Sequence, residues 1–144
     1  HPLNRAPGDL NDLRERLSNV MWDDAGIIRD AQGLERVSKA VNALHDDLMN
    51  TGIGSGQRHY DIAWQDWLNL DSQMTVSKMI IAAAQARDDS AGAHFRSDFS
   101  DTLAPRQAWY TELRQINGSL QVSRQSVDFN RIKPNVDEGS EDKP

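Results

Sequence analysis

The sequence predicts a mainly α protein: an up-down-up three-helix bundle, spectrin-repeat-like, with an irregular C-terminal extension. Three observations predict it. Apolar residues recur at three-four spacing in three separate runs between residues 9 and 90, which places each set on one helical face. Turn-forming residues separate the runs. Beyond residue 92 the helical period gives way to a mixed stretch and then a polar tail.

Residues 1–8 carry two prolines and a glycine and read as a lead-in. Asp9 is the expected N-cap of the first helix, in which Leu10, Leu13, Leu17 and Val20/Met21 share a face as far as about Gly26. Asp30 starts the second helix. Leu34, Val37, Val41, Leu44 and Leu48 form a narrow seam along it. TGIGSGQRHYD, 51–61, has three glycines and reads as a loop. The third helix starts near Ile62, with Trp67, Leu70, Met74, Ser77, Ile81 and Ala84 in register, and stops between Asp89 and Gly92. The bundle is thus assigned to 9–92.

Residues 93–132 are the expected extension. A short fourth helix fits Ala108, Trp109 and Leu113, and 119–132 alternates in a strand-like way at Leu120, Val122, Val127 and Phe129. With few apolar groups of its own, the extension is expected to dock on a neighbouring domain. The tail 133–144 is polar and is expected to be disordered.

Composition excludes several classes of function. There is no cysteine, hence no disulfide, thiolate metal site or cysteine nucleophile. Net charge is −6 and the basic residues are dispersed, so nucleic acid has no electrostatic footprint. No apolar run approaches the ~20 residues that span a bilayer, which argues against direct membrane insertion. The chain opens on His1 with no signal-peptide pattern; it reads as part of a longer protein, cytoplasmic or at the cytoplasmic face of a membrane complex.

Four constellations have a chemical reading and a blander one. Gly52, Gly54 and Gly56 resemble a phosphate-cradling loop, but a helix rather than a strand precedes them, and an inter-helix loop is the better reading. His45-Asp46-Asp47 could supply metal ligands; it lacks a second histidine one turn away, and solvated polar residues explain it. Ser90, His94 and Asp98 are the residue types of a hydrolase triad without a nucleophile elbow. Tyr60, Trp64 and Trp67 could form a stacking platform, with core or interface as the default.

The stretch DDSAGAHFRSDF, 88–99, carries more. Gly92 suits a left-handed helix end. Arg87, His94 and Arg96 complement the negative end of the helix dipole, whereas Asp88 and Asp89 oppose it and call for basic partners, Arg96 or a residue of another domain. If 93–98 is extended, His94, Arg96 and Asp98 point to one side. A solvated helix end and a polar clamp to a neighbouring domain are the two readings.

Three stretches together, RLSNVMWDDAGIIRDAQGLERVSKAVNAL, WLNLDSQMTVSKMIIAAAQARDDSAGAHFRSDF and VSRQSVDF, resemble the C-terminal helical domain of the succinate dehydrogenase/fumarate reductase flavoprotein family, which includes L-aspartate oxidase. Met21, Trp22, Gly26, Ile27 and Arg29 match the end of that family's first helix, and Gly33 and Leu34 the start of its second. Asp89, Ser90, Gly92, Ala93, His94, Arg96 and Asp98 match or approximate its Glu-Ser-Arg-Gly-Ala-His-x-Arg-x-Asp motif. Ala91 replaces the motif's arginine. Residues 126–129 fit a terminal strand. The resemblance spans 10–132.

It implies an accessory domain of an FAD-dependent oxidoreductase acting on a small dicarboxylate, expressed alone or cut from its parent and inactive by itself. In that family FAD and the catalytic groups belong to upstream domains, so no catalytic, cofactor-binding or metal residue is assigned here. The implied partners are the flavin-binding domain of the parent chain and an iron–sulfur electron-transfer subunit; the isolated domain could also self-associate. The docking candidates are Arg29, Asp89, His94, Arg96 and Asp98, with 87–98 and 120–129 as the docking side. L-aspartate oxidase is the alternative parent, and a stand-alone helical protein-interaction module the alternative function.

Overall fold

A computed structural model describes residues 2, 5–54, 62–99 and 108–132. The helices are α1 (Leu10–Ala25), α2 (Ala31–Asn50) and α3 (Ile62–Gln85). Asp9 Oδ1 caps α1 by accepting from the amides of Asn11 and Asp12 at 2.9 and 3.1 Å, and Asp30 Oδ1 caps α2 by accepting from Gly33 N at 2.7 Å. The core is Leu13 and Leu17 from α1, Leu34, Val37, Val41, Leu44 and Leu48 from α2, and Trp67, Leu70, Met74, Ile81 and Ala84 from α3. These are the seams the spacing marks, and their burial is the main driving force of the fold.

The mainly α assignment is wrong. The chain is a mixed fold with two small sheets. β1 (Ile28–Arg29) pairs in parallel with β2 (Phe95–Arg96), Ile28 opposite Phe95 and Arg29 opposite Arg96. β3 (Trp109–Ile116) and β4 (Ser119–Ser126) form an antiparallel hairpin in unbroken register. Among its described residues the extension therefore holds three strands, β2, β3 and β4, and Trp109 and Leu113 lie in β3 rather than in a fourth helix. The physical reason lies at the turn. Asn117 and Gly118 both have positive φ, 52° and 80°, the requirement of a two-residue type I′ connection, which closes right-twisted strands. The disordered-tail expectation for 133–144 lies outside the described residues.

α3 also ends earlier than the sequence reading has it, at Gln85. Gly92 has φ 57°, but it turns the chain between Ala91 and His94, whose backbones exchange hydrogen bonds at 2.9 and 3.1 Å. Among the described residues no helix is long and apolar enough to cross a membrane.

The lead-in is tied to the bundle. Gly52 N donates to Ala6 O at 2.7 Å and Gly8 N donates to Gly52 O at 3.3 Å. A Cβ on Gly52 would meet Arg5 O at 2.1 Å, so only glycine lets the two backbones approach. Gly52→Ala is expected to detach residues 5–8 while the core stays folded. Hydrogen exchange would show lost protection at Gly8 and residue 52 with Leu70 and Met74 unchanged.

Candidate functional site

The predicted residues converge at one end of the bundle, where α1 and α3 finish and α2 begins. Helix ends leave four carbonyls or four amides without intrahelical partners. Here side chains from outside each helix take them up. Arg29 Nε donates to Ala25 O and Gly26 O at 3.0 and 2.9 Å, closing α1. Arg96 Nη1 donates to Ala84 O at 3.2 Å and Arg87 O at 2.9 Å, closing α3. Asp98 Oδ2 accepts from Ala31 N at 2.9 Å, adding a second carboxylate to the N-terminus of α2 beside Asp30. Two guanidiniums face C-termini and two carboxylates face an N-terminus, each favoured by the helix dipole.

These caps are joined. Arg96 and Asp98 form a two-pronged pair at 2.7 and 2.6 Å, in which Arg96 is only 3% exposed. The Arg96 hydrogen bond holds the Asp98 carboxyl down at about 2, with the Ala31 amide adding to it and burial opposing; the same pair raises Arg96 above its ordinary value. Arg29 Nη1 lies 2.9 Å from His94 Nδ1. Ser90 Oγ is buried, accepts from Arg96 N at 2.9 Å and donates to Phe99 O at 2.6 Å.

Asp89, 2% exposed, pairs with Arg87 at 2.9 and 2.7 Å rather than with Arg96. Arg87 leads to the hairpin. Its guanidinium carbon lies 4.1 Å from the centre of the Trp109 ring, and that of Arg124 lies 3.7 Å from it, so two cations flank the buried indole.

Arg29 with His94 and Arg96 with Asp98 thus form two side-chain pairs at one end of the bundle, joined through the backbone where Ser97 N donates to Arg29 O, and Asp89 sits beside them with Arg87. Ser90 points to backbone, His94 to Arg29 and Asp98 to Arg96, so the triad reading fails on geometry. His45 Nε2 lies 2.8 Å from Asp71 Oδ1 and its Nδ1 contacts Lys78 Nζ, bridging α2 to α3. Among the described residues no group of histidines and acids could hold a metal. Gly52 does not fit the phosphates of FAD, because the lead-in backbone fills the space before it; Gly56 lies outside the described residues. Trp67 is buried, stacks with Trp64 at 6.4 Å and donates from Nε1 to Leu48 O and Thr51 O, as core. Tyr60 lies outside the described residues.

The polar network leaves apolar groups outside it. Trp22, Ile27, Ile28 and Phe95 are 71, 72, 65 and 41% exposed, and Ile28 and Phe95 stand side by side on the outer face of the small sheet. Phe95 falls within the expected docking side, 87–98; Trp22, Ile27 and Ile28 do not. The signal available was local: Ile27 and Ile28 lie just past a helix end, where no seam can bury both.

Two outcomes are expected. Arg96→Ala should destabilise the chain by about 3 kcal/mol, the lower end of the range for breaking a buried ion pair because Asp98 stays partly in water. Arg96→Lys should recover only part, since an ammonium cannot reproduce the fork; urea unfolding measures both. The Asp98 contribution has a sign fixed by its lowered folded value. It is present above the ordinary 3.8 and lost as pH falls through about 2. The stability difference between the wild type and Asp98→Asn should shrink across that window.

The comparisons agree with this architecture. The family model described as "Fumarate reductase flavoprotein C-term" matches residues 14–138. An uncharacterized FAD-dependent oxidoreductase of Methanocaldococcus jannaschii is 32% identical over 102 residues, 69% of this chain and 18% of that protein. The fumarate reductase flavoprotein subunit of Mycobacterium tuberculosis is 26% identical over 126 residues, 87% of this chain and 22% of that one. A solved quinol-fumarate reductase with menaquinol molecules superposes with a TM-score of 0.79 at 16% identity, covering 91% of this chain and 23% of that one; at that identity the likeness is one of fold. The chain spans about a fifth of the length of the curated relatives it matches. With the family model covering nearly the whole described fold, the chain belongs to the fumarate reductase flavoprotein C-terminal family.

Proposed function

We propose that this chain is the accessory C-terminal domain of an FAD-dependent oxidoreductase of the succinate dehydrogenase/fumarate reductase kind, non-catalytic alone, which packs on the flavin domain of its parent. The observation that carries the reading is the exposed pair Ile28 and Phe95, side by side in the small sheet, with Trp22 and Ile27 also exposed at the same end of the bundle. Exposed apolar groups brought together in this way mark a surface that meets another protein. Arg29, Asp89, His94, Arg96 and Asp98 serve docking indirectly: they set the loop that presents Phe95 beside Ile28.

The hairpin belongs to the same side. A lone two-stranded hairpin is marginal in water, yet β3 and β4 run eight residues each and β4 is exposed almost throughout. Leu113, Leu120 and Val122 share one face by register, and Leu120 and Val122 remain in contact with solvent. That face supports a second contact, to the flavin domain or to an iron–sulfur electron-transfer subunit, in a complex at the cytoplasmic face of a membrane. The parent reaction in this reading is the FAD-linked interconversion of a small dicarboxylate pair of the succinate and fumarate class.

Two measurements test it. The purified chain titrated with FAD should give no change in the flavin spectrum or in tryptophan fluorescence; tight stoichiometric binding would overturn the accessory role. In the intact flavoprotein, Trp22→Ser and Ile28→Asp should lower flavin retention and the melting temperature, although neither substitution should unfold the isolated chain. Unchanged flavin content in both would remove this face from the interface.

A further inference from the structure

The surroundings of His94 hold it in one protonation state. A guanidinium only donates, so the contact with Arg29 Nη1 makes Nδ1 an acceptor and places the ring proton on Nε2. Nε2 is buried and, among the described residues, has no acceptor. A second proton would have to enter at Nδ1, where Arg29 already donates. The charged groups facing the ring are Arg29 from the α1–α2 connection, Arg87 and Asp89 from the segment after α3, and Arg96 from β2. Three guanidiniums therefore stand against one carboxylate, and that carboxylate is already engaged by Arg87.

The ring also sits at a mechanical joint. His94 closes the turn that begins at Ala91 and directly precedes β2. β2 meets the α1–α2 connection in a two-residue parallel pair, with Ser97 N donating to Arg29 O at 2.8 Å; Ser97 Oγ to Arg29 O and Asp98 to the Ala31 amide are the exposed contacts beside it. Moving His94 away from Arg29 acts on both strands of that pair at once.

We propose that His94 and Arg29 form an acid-released latch: a proton on His94 expels the ring from its place against Arg29 and opens β1 from β2, while the three-helix core stays folded. Burial first, then Arg29 and Arg87, hold His94 below its ordinary 6.5. The latch is therefore at full strength above pH 6.5 and is lost as pH falls through the lower folded midpoint.

The test is histidine-labelled NMR of the 144-residue chain, with hydrogen exchange read at the amides of Ser97 and Phe95. The expected wild-type result is a neutral His94 with its proton on Nε2 and a midpoint below 6.5. Below that midpoint, Ser97 should exchange faster than in His94→Asn at the same pH, and the ratio between the two should grow as pH falls. Leu70 and Met74 should stay protected. Asparagine keeps an acceptor where Nδ1 stood and takes no proton, so its joint should remain closed. Arg29→Gln should raise the His94 midpoint.

A proton on Nδ1 at neutral pH would overturn the latch. So would a His94 titration that leaves Ser97 protection unchanged, or the same pH course in His94→Asn as in the wild type. If His94→Asn opens the joint at neutral pH, the wild-type titration decides alone: Ser97 exposure tracking the His94 midpoint supports the latch, and any other midpoint rejects it.

Discussion

Three helix ends meet in one place, and each needs partners for backbone groups that the helix itself cannot satisfy. Much else in the structure follows from how that need is met. Neither C-terminus uses a left-handed glycine: Gly26 has φ −71°, and no glycine follows Gln85 until Gly92. The carbonyls are covered by Arg29 and Arg96, and the exposed amide of Ala31 by Asp98. Arg96 and Asp98 come from the segment after α3, so that segment must fold back over the bundle for two of the helices to end properly. The parallel pairing of β1 with β2 is the backbone expression of this return.

The seams and caps of the helices were readable because they are local. Three-four spacing marks every core position of α2 and α3 without reference to the rest of the chain, and Asp9 and Asp30 cap amides two or three residues away. The hairpin was half readable. Leu120 and Val122 alternate, but β3 alternates weakly because most of its side chains meet solvent, which removes the periodic signal that burial imposes. Asn117-Gly118, the strongest local signal for a hairpin, stands between the two strands.

The site was readable as a location and not as a set of contacts. The acids after α3 do need basic partners, but Asp89 takes Arg87 and Arg96 takes Asp98, each two residues away, in non-helical backbone that spacing rules for helices do not cover. What faces outward is inverted for Asp89 and Arg96. Both are buried and paired within the chain, whereas Arg29 and His94 are half-buried, Asp98 is exposed, and the apolar Ile28 and Phe95 beside them are exposed as well. A motif rich in charge attracts attention as a contact surface, but here Arg96 and Asp89 are buried and Phe95 and Ile28 are exposed.

This inversion bears on why charge is used here at all. A buried ion pair can often be replaced by apolar side chains with no loss, because desolvation offsets much of the Coulomb attraction. The Arg96–Asp98 pair is not open to that exchange. Between them the two side chains satisfy two carbonyls at the end of α3 and one amide at the start of α2. An apolar pair of equal volume would leave the two carbonyls buried or half-buried without partners, each at a cost of about 1–3 kcal/mol, and would strip the exposed Ala31 amide of its cap. The charges persist because the backbone groups they serve cannot be removed, and arginine suits the position because one planar fork meets a carboxylate and two carbonyls at once. The same contacts pin the segment after α3 where it crosses the helix ends, and so place the exposed Phe95 in register with Ile28.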